Sequence, residues 1–435
     1  MNSETRLSKL FFGYGIALFP FLLFLGPLIA ELFLVSIIFY SIFYIIKENK
    51  FQFYKNRYFI FFGLFYLSIL FSTILNFYNF DNSIGGILYF RILLFAFSIW
   101  FILDKFLCFD KKIIFFYFLF FLLIIIDSLI QYYFGKNLLG YEIKNHRISS
   151  FFGDELILGG FILRTLPIFL IYLVMSEILI LKKNNFLFVI LISLSCFVVY
   201  LSGERTSFGL LILFFFSLFF ISKDLRKFII YIIIAFVSFS VILPNLRNSE
   251  EPNPATRMFQ KSYNQVLGIG EERYEKHKKK LLSKVYIFSH DHHGHYVLSY
   301  RIFKDHMIFG TGVKGFRYLC RNKIYILENN DGCSTHPHNT YVQILVSNGI
   351  VGFSLLIFAF FFIVKEIFIC RKKLNSGKEY DKFEISKAVA ISAIFVNIWP
   401  LIPSGNFFNN WLSMFYFYPI GFYLYFKFKN EKKIN

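Results

Sequence analysis

The chain has 435 residues, of which 57% are hydrophobic and 17% are charged, and its formal net charge is +19. A soluble protein of this size contains fewer apolar and more charged residues, so the composition excludes a soluble enzyme with one membrane anchor. Apolar runs of about 20 residues recur along the chain, and each is long enough to cross a bilayer. The sequence therefore predicts an all-α polytopic membrane protein.

The apolar runs predict about twelve spans in chain order. The first runs near Leu10–Leu25 and is broken by Gly26-Pro27, and the second ends near Ile46. The others are predicted near Tyr58–Leu75, up to Leu103, Ile113–Tyr133, up to Leu181, Phe186–Leu201, Phe208–Ile221, Phe228–Leu243, Tyr341–Val364, up to Trp399 and Asn410–Phe426. This predicts three parts: transmembrane helices 1–9 in residues 1–243, a large hydrophilic segment in residues 244–340, and transmembrane helices 10–12 in residues 341–435.

Most of the positive charge lies in short loops that fall on one side of these spans. The positive-inside rule places that side and both termini in the cytoplasm, so the basic charge predicts no nucleic-acid partner. The segment 244–340, the loop 135–154 and the turn at Arg205 fall on the opposite side, which is the periplasm in a bacterium. No cleavable signal peptide is expected, because the first apolar run has no small-residue cleavage site.

Polar chemistry gathers on this outer side. Eight of the nine histidines lie in residues 244–340, and the re-entry stretch reads His336-Pro-His338-Asn339 before an apolar helix. Ionisable residues at such a border are costly and are functional candidates. Gly349 and Gly352 are predicted on one helix face, where a neighbouring helix approaches closely. A plain helix start with a packing face is the alternative, but it does not explain the histidines.

A second histidine tract runs from His290 to His295. Closely spaced histidines can bind zinc, but this spacing matches no standard zinc motif. We therefore favour a polar loop before a helix, and no metal is predicted.

Two arginines are candidate anion-binding groups, because guanidinium stays charged and binds phosphate in a bidentate way. Arg205 lies in the six-residue turn Ser202-Gly-Glu-Arg-Thr-Ser between two spans, and Arg301 opens an amphipathic helix before the turn Gly310-Thr-Gly312. For each arginine, a structural role such as snorkelling to the interface is an equal alternative.

Cys320 and Cys333 both lie in the outer segment, with twelve residues between them. The periplasm is oxidising, so a disulfide is plausible, and closing such a loop contributes about 3 kcal/mol in the chain-entropy model. Two free thiols are the alternative.

Taken together, these stretches resemble the bacterial O-antigen ligase family, which shares a superfamily with O-antigen polymerases. Its most specific motif is His-Asn, nine residues, then Gly-x-x-Gly, and here it reads His338-Asn339, residues 340–348, then Gly349-Ile-Val-Gly352. The stretches that begin at Arg147, Ser202 and Arg301 are similar to further motifs of that family.

The resemblance implies a GT-C-like helical bundle and a metal-independent inverting glycosyltransferase with no cofactor. It implies transfer of a glycan from undecaprenyl pyrophosphate to lipid A–core at the periplasmic face of the inner membrane. His338 is then expected to be the catalytic base or to orient the acceptor hydroxyl, and the cations Arg205 and Arg301 are expected to bind the pyrophosphate. Asn339 is expected to position His338 or a sugar. The residues expected to bind substrate are Asn339, Arg147, Arg317 and Lys314, and those expected to be structural are Gly310, Gly312, Gly349 and Gly352.

Two other functions stay open. A polymerase of the same superfamily would use the same arginines and a second lipid-linked glycan as acceptor. A polysaccharide-carrier transporter is a different class, and the scarcity of charges inside the spans disfavours it. The outer segment carries 15 Lys and Arg against 9 Asp and Glu, which suits anionic lipid substrates in either enzyme.

Overall fold

The structure is a computed structural model that describes residues 3–77, 80–145, 147–178, 185–246, 254–267, 290–326, 332–376 and 381–431. Within these residues the regular structure is helical, apart from two isolated β-bridges between residues 136 and 147. The first helices are α1 Ser3–Ser8, α2 Tyr14–Ala17, α3 Phe19–Leu25, α4 Pro27–Lys47, α5 Arg57–Leu75, α6 Phe80–Ile87, α7 Phe90–Phe106, α8 Lys111–Phe134 and α9 Leu158–Met175. The others are α10 Asn185–Leu201, α11 Arg205–Ile221, α12 Arg226–Asn245, α13 Pro254–Leu267, α14 His290–Asp305, α15 Gly315–Leu319, α16 Thr340–Ser376, α17 Lys382–Asn397 and α18 Asn410–Glu431.

Many of these helices can cross a membrane. Among the described residues, seven helices are long and apolar enough, and a bent pair near the N-terminus makes eight. That pair turns by 71° where a single first span was predicted. Two further apolar helices, Phe186–Leu201 and Arg205–Ile221, are shorter. The helical membrane architecture is thus confirmed, while the count of twelve and the GT-C-like arrangement stay predictions.

Helix ends follow local sequence signals. Gly26, with φ of 142°, separates α3 from α4, and Pro27 occupies the first position of α4, where its missing N–H costs nothing. Asn56 caps α5 by accepting hydrogen bonds from the N–H groups of Tyr58 and Phe59, both at 3.0 Å. Two predicted boundaries differ: α12 continues through Pro244, and the end predicted near Leu181 lies outside the described residues.

The chain forms two compact units. Unit 1 contains Met1–Leu107, Asn264–Val364 and Asn397–Tyr425. Unit 2 contains Cys108–Tyr263, Lys365–Val396 and Phe426–Asn435.

In unit 1, α16 is broken at Gly349, whose φ and ψ are 63° and −163°. This region of the backbone map is accessible essentially only to glycine. The break frees backbone groups of α16, and the turn Gly310-Thr311-Gly312 binds them. The N–H groups of Thr311 and Gly312 donate to the carbonyls of Val346 and Ser347, each at 2.9 Å.

Helix α5 closes the same junction from another side. The Ser72 hydroxyl donates to the Ser347 carbonyl at 2.5 Å and accepts from the Gly312 N–H at 3.0 Å. The Asn76 amide donates to the Gly310 carbonyl at 3.0 Å. The polar backbone of a broken helix is therefore satisfied by protein, as a membrane protein requires.

The two glycines of α16 do not share the predicted helix–helix contact. A Cβ on Gly349 would lie 2.2 Å from the Ile308 carbonyl oxygen, so the close neighbour is a loop backbone. A Cβ on Gly352 would lie 2.3 Å from the Cβ of Asn348 in the same helix. The break at Gly349 displaces both positions from a regular helix face, and this corrects the expectation.

The outer segment has a small core of its own, which packs onto α16. Its buried side chains are Leu298, Ile302, Phe316, Cys320, Tyr325 and Val346. Cys320 forms a disulfide with Cys333, and their Cα atoms are 5.1 Å apart. The bond ties residues 332–335, just before the re-entry stretch, to α15.

In unit 2, the loop that carries Arg147 is fixed to α8. The buried Asp127 carboxylate accepts hydrogen bonds from the Leu138 N–H at 2.9 Å and the Ser150 hydroxyl at 2.6 Å. The Gln131 side chain accepts from the N–H groups of Ser149 and Ser150. Asp127, an ionisable residue within a predicted span, thus serves to anchor this loop.

Gly349→Ala should destabilise the protein by about 3 kcal/mol or more, because it combines a forbidden φ with a backbone clash. Gly63→Ala is the matched control, since it lies within α5 and a Cβ there meets no atom within 4 Å. Thermal unfolding in detergent measures both variants. Equal midpoints for the two would contradict the role of the break.

The disulfide predicts a Cys320–Cys333 linked peptide in a digest prepared without reductant. Mass spectrometry before and after reduction measures it. Recovery of both cysteines as free thiols from freshly isolated membranes would contradict the bond.

Candidate active site

The re-entry stretch is held at the start of α16. Asn339 is the N-cap residue: its side-chain oxygen accepts from the N–H groups of Tyr341 at 2.9 Å and Val342 at 3.1 Å. Its amide nitrogen donates to the Pro400 carbonyl at 2.8 Å. These bonds hold Asn339 within the protein and position His338, the residue before it. Contact between Asn339 and a sugar stays a prediction.

That residue, His338, has a strained backbone. Its φ is 57°, a left-handed value that is uncommon outside glycine, and its carbonyl accepts from the Ser404 N–H at 2.9 Å. The Thr340 and Ser404 hydroxyls are 2.8 Å apart and hold the same loop. Strain of this kind persists where the surroundings over-determine a conformation, often at functional sites. The backbone at His338 is therefore fixed, and its imidazole is partly exposed.

Four imidazoles form a histidine cluster: His292, His295, His336 and His338. The His338 ring lies 4.0 Å from the ring of His336, 5.1 Å from that of His295 and 5.7 Å from that of His292, centre to centre. His292 and His295 are three residues apart on α14 and therefore share a face. The cluster joins the two histidine motifs of the sequence around His338.

His336 is the buried member of the cluster. Burial and the neighbouring His338, with smaller contributions from His295 and Arg317, lower the pKa of His336 to about 3. Its Nδ1 lies 2.9 Å from the Thr335 hydroxyl, and its Nε2 is buried without a hydrogen-bond partner. His336 is therefore neutral at physiological pH, and Arg317 is the nearby cation.

The tract 290–295 differs from its prediction as a polar loop. It forms the first turns of α14, and its side chains His292 and His295 pack on His338. Within the described residues, no three histidine, cysteine or acidic side chains are arranged to hold a metal ion.

Arg301 was predicted to open a helix, but it lies near the C-terminal end of α14, on a different face from His292. It follows His292 by nine residues, which places it roughly opposite on the helix. Its guanidinium is exposed and is 3.5 Å from the Ile326 carbonyl. Lys314, in the turn after Gly312, is partly exposed. Arg317 is the cation that contributes to lowering the pKa of His336.

The second predicted group, the arginine turn at residues 202–205, lies in unit 2. Arg205 is the first residue of α11 and is exposed. Arg147 does not reach outward: its guanidinium donates to the Ser202 carbonyl at 3.0 Å and the Leu156 carbonyl at 3.2 Å. It also pairs with Glu204 at 3.7 Å. Arg147 therefore shapes the turn that presents Arg205, and its contact with a substrate stays a prediction.

Glu204 completes this turn. Its carboxylate accepts from the N–H groups of Gly159 at 2.8 Å and Gly160 at 3.0 Å, so it fills the anion position at the N-terminus of α9. Burial raises the pKa of Glu204, against the opposing effects of Ser207 and Arg147. Because the Glu204 carboxylate is bound at α9, it does not cap α11, and Arg205 at the N-terminus of α11 is exposed.

An apolar groove begins one helical turn below Arg205. Its volume is about 480 Å³, and it lies between α10, α11 and α12. Phe208, Phe236 and Val237 line it, together with Cys196 and Phe219. A cationic turn therefore borders an apolar groove in the membrane-spanning part of unit 2.

Sequence reasoning missed three contributors: His295, Glu204 and Ser404. The histidine tract did signal His295, but its contact with His338 joins residues 43 positions apart, and no local pattern reports such a distance. Glu204 was visible only as the neighbour of Arg205, and Ser404 acts through its backbone N–H.

Residues 187–357 match the family model described as O-antigen ligase. The match contains the arginine turn, α14, the histidine cluster and the break at Gly349, and Arg147 lies before it. No curated protein matches the chain. The family match confirms the resemblance drawn from the sequence motifs.

The low pKa of His336 predicts that the fold loses stability as the pH falls from about 6.5 towards 3. In that window the unfolded chain binds a proton on this imidazole and the folded protein does not, so the loss is at most about 1.4 kcal/mol per pH unit. His336→Asn should lose less between pH 7 and pH 5, as measured by thermal unfolding in detergent. His306→Asn is the control, and identical pH dependence in His336→Asn and the parent would contradict the assignment.

Proposed function

With the O-antigen ligase family supported by this match, we propose that the chain transfers a glycan from undecaprenyl pyrophosphate to lipid A–core. The family implies a membrane glycosyltransferase of the ligase or polymerase type, and the ligase is our choice. The observation that carries the proposal is the fixed, partly exposed His338 at the centre of the histidine cluster. The work would take place at the periplasmic face of the inner membrane.

In the proposed reaction, a hydroxyl oxygen of the acceptor sugar attacks the anomeric carbon of the donor. The bond from that carbon to the pyrophosphate oxygen breaks, and undecaprenyl pyrophosphate leaves with the electron pair. The hydroxyl proton passes to His338. A direct attack inverts the anomeric centre, and a histidine base contributes about 10²–10⁴-fold. A metal ion is not required in this scheme.

The pyrophosphate needs fixed positive charge, which is most effective in a site shielded from water. Arg205 is suited to this role because Glu204 and Arg147 fix its turn and the N-terminus of α11 adds partial positive charge. The apolar groove that begins one turn below is suited to the isoprenoid chain of the same donor. For unit 1, we choose the exposed guanidinium of Arg301 as the cation that faces the pyrophosphate, with Arg317 and Lys314 in support.

A polymerase is the second candidate, because the family match covers both reactions. The difference is the acceptor, so a transfer assay with purified protein in lipid separates them. It supplies an undecaprenyl-pyrophosphate glycan and, in parallel, lipid A–core or a second lipid-linked glycan. We expect product on lipid A–core, at a rate unchanged by a chelator.

Product found solely as a longer lipid-linked chain would replace the ligase by the polymerase. Movement of the donor between leaflets without a new glycosidic bond would replace both by a transporter. Loss of activity with the chelator would overturn the metal-independent mechanism.

Arg205→Ala and Arg301→Ala should each lower transfer by about 100-fold or more, because each removes a charge proposed to stabilise the leaving pyrophosphate. Lys227→Ala and Lys304→Ala are the matched controls: each removes an exposed cation from the same unit and should retain activity. Full transfer by a folded Arg205→Ala or Arg301→Ala protein would remove that arginine from the site.

A further inference from the structure

The histidine cluster contains a side chain that the reaction above does not use. His295 is buried, and 8% of its surface is exposed. Its Nδ1 lies 2.8 Å from the carbonyl oxygen of Gly332. A carbonyl can only accept a hydrogen bond, so Nδ1 carries the proton. The ring is thereby fixed in orientation as well as in tautomer.

The backbone of Gly332, which accepts the hydrogen bond from His295, is itself closely packed. Its φ is 93°, and a Cβ there would lie 2.4 Å from the backbone carbonyl carbon of Gly294. The loop backbone thus lies directly against the first turns of α14. The next residue, Cys333, is bonded to Cys320 in the buried core of the outer segment. A covalent link therefore fixes the carbonyl that orients His295.

The other face of His295 meets His338. The two rings are stacked, 5.1 Å apart with an interplanar angle of 26°. His338 is already constrained at its backbone by Ser404, but a backbone restraint leaves the χ angles of an imidazole free. His295 supplies a flat, rigid surface against that ring, and His336 lies 4.0 Å away.

We propose that His295 is a positioning residue that fixes the ring of His338 and is itself held through Gly332 by the Cys320–Cys333 disulfide. This inference rests on the proposed function for its effect on rate, but not for its effect on the His338 ring. It extends the site from the re-entry stretch to α14, and it assigns the disulfide a task beyond stability.

The test is His295→Asn, because the asparagine side-chain amide can still donate to the Gly332 carbonyl while the ring is removed. We expect transfer at saturating substrates to fall about 10- to 100-fold, part of the contribution of a histidine base, with the donor KM changed less than twofold. His306→Asn, which alters a partly exposed histidine just beyond α14, should behave as the parent.

A second readout does not need transfer activity. Diethyl pyrocarbonate modifies neutral imidazoles, and mass spectrometry of the re-entry peptide gives the rate at His338 as a function of pH. We expect His295→Asn to change both the rate and the apparent pKa of His338, and the Cys320→Ser/Cys333→Ser protein to show a change in the same direction. Adding His295→Asn to that protein should change the modification of His338 little further, because His295 and the disulfide act through the same link.

Unchanged modification of His338 in a folded His295→Asn protein would overturn the inference, whatever the transfer activity. Additive effects of the disulfide and His295 substitutions would overturn the link between them. If His338 of the parent protein is modified normally but the protein makes no glycosidic bond with either acceptor, the proposed function fails. The modification rates then still decide whether His295 positions His338.

Discussion

The backbone crossing at Gly310 and Gly349 is the constraint on which unit 1 depends. A broken helix exposes N–H and C=O groups, and an unsatisfied group is costly in hydrocarbon. Here the turn after α14 supplies the partners, and Ser72 of α5 seals the junction. The two backbone segments can cross because glycine stands where they meet. A Cβ on Gly310 or Gly349 would lie within 2.4 Å of the backbone of the other segment.

The same crossing explains why two distant motifs belong together. It fixes α16 against the segment that follows α14. The His295–Gly332 hydrogen bond fixes the loop before α16 against α14 itself, and the disulfide ties that loop to the end of α15. His338 lies between these attachments. Its strained backbone is tolerated because Ser404 holds the His338 carbonyl and the side chain of Asn339 holds the next residue. The polar stretch is thus rigid although it lies in a loop, as a preorganised site requires.

Local sequence patterns predict much of the fold. Apolar runs predicted the helices, Gly26-Pro27 predicted a break, and the two outer cysteines predicted a bond that the structure contains. The break at Gly349 escaped prediction because Gly-x-x-Gly within an apolar run also suits a regular packing face. Only the hydrogen bonds from Thr311 and Gly312 distinguish the two, and these join residues 35 apart. The bend of 71° in the first span was also missed, although Pro20 stands in the first turn of α3, directly after the bend.

The candidate site divides in the same way. Residue type and position identified His338 and Arg205, since each stands at a border of polar loop and apolar helix. The sequence predicted that Asn339 positions either His338 or a sugar. It could not give the partners of Asn339 and Arg147, because these are backbone carbonyls distant along the chain. His295 shows the converse: its tract suggested a metal or a loop, and its function depends on a ring contact across 43 residues of chain.

The role of His338 as the catalytic base is tested most directly by the transfer rate of His338→Gln protein in lipid, across pH 6 to pH 9. Glutamine keeps a polar side chain at the centre of the cluster but cannot take up a proton. We expect the transfer rate to fall by about 100-fold or more at neutral pH. The loss should lessen at higher pH, because hydroxide replaces the missing base. A folded His338→Gln protein with the parental rate and pH profile would contradict that role.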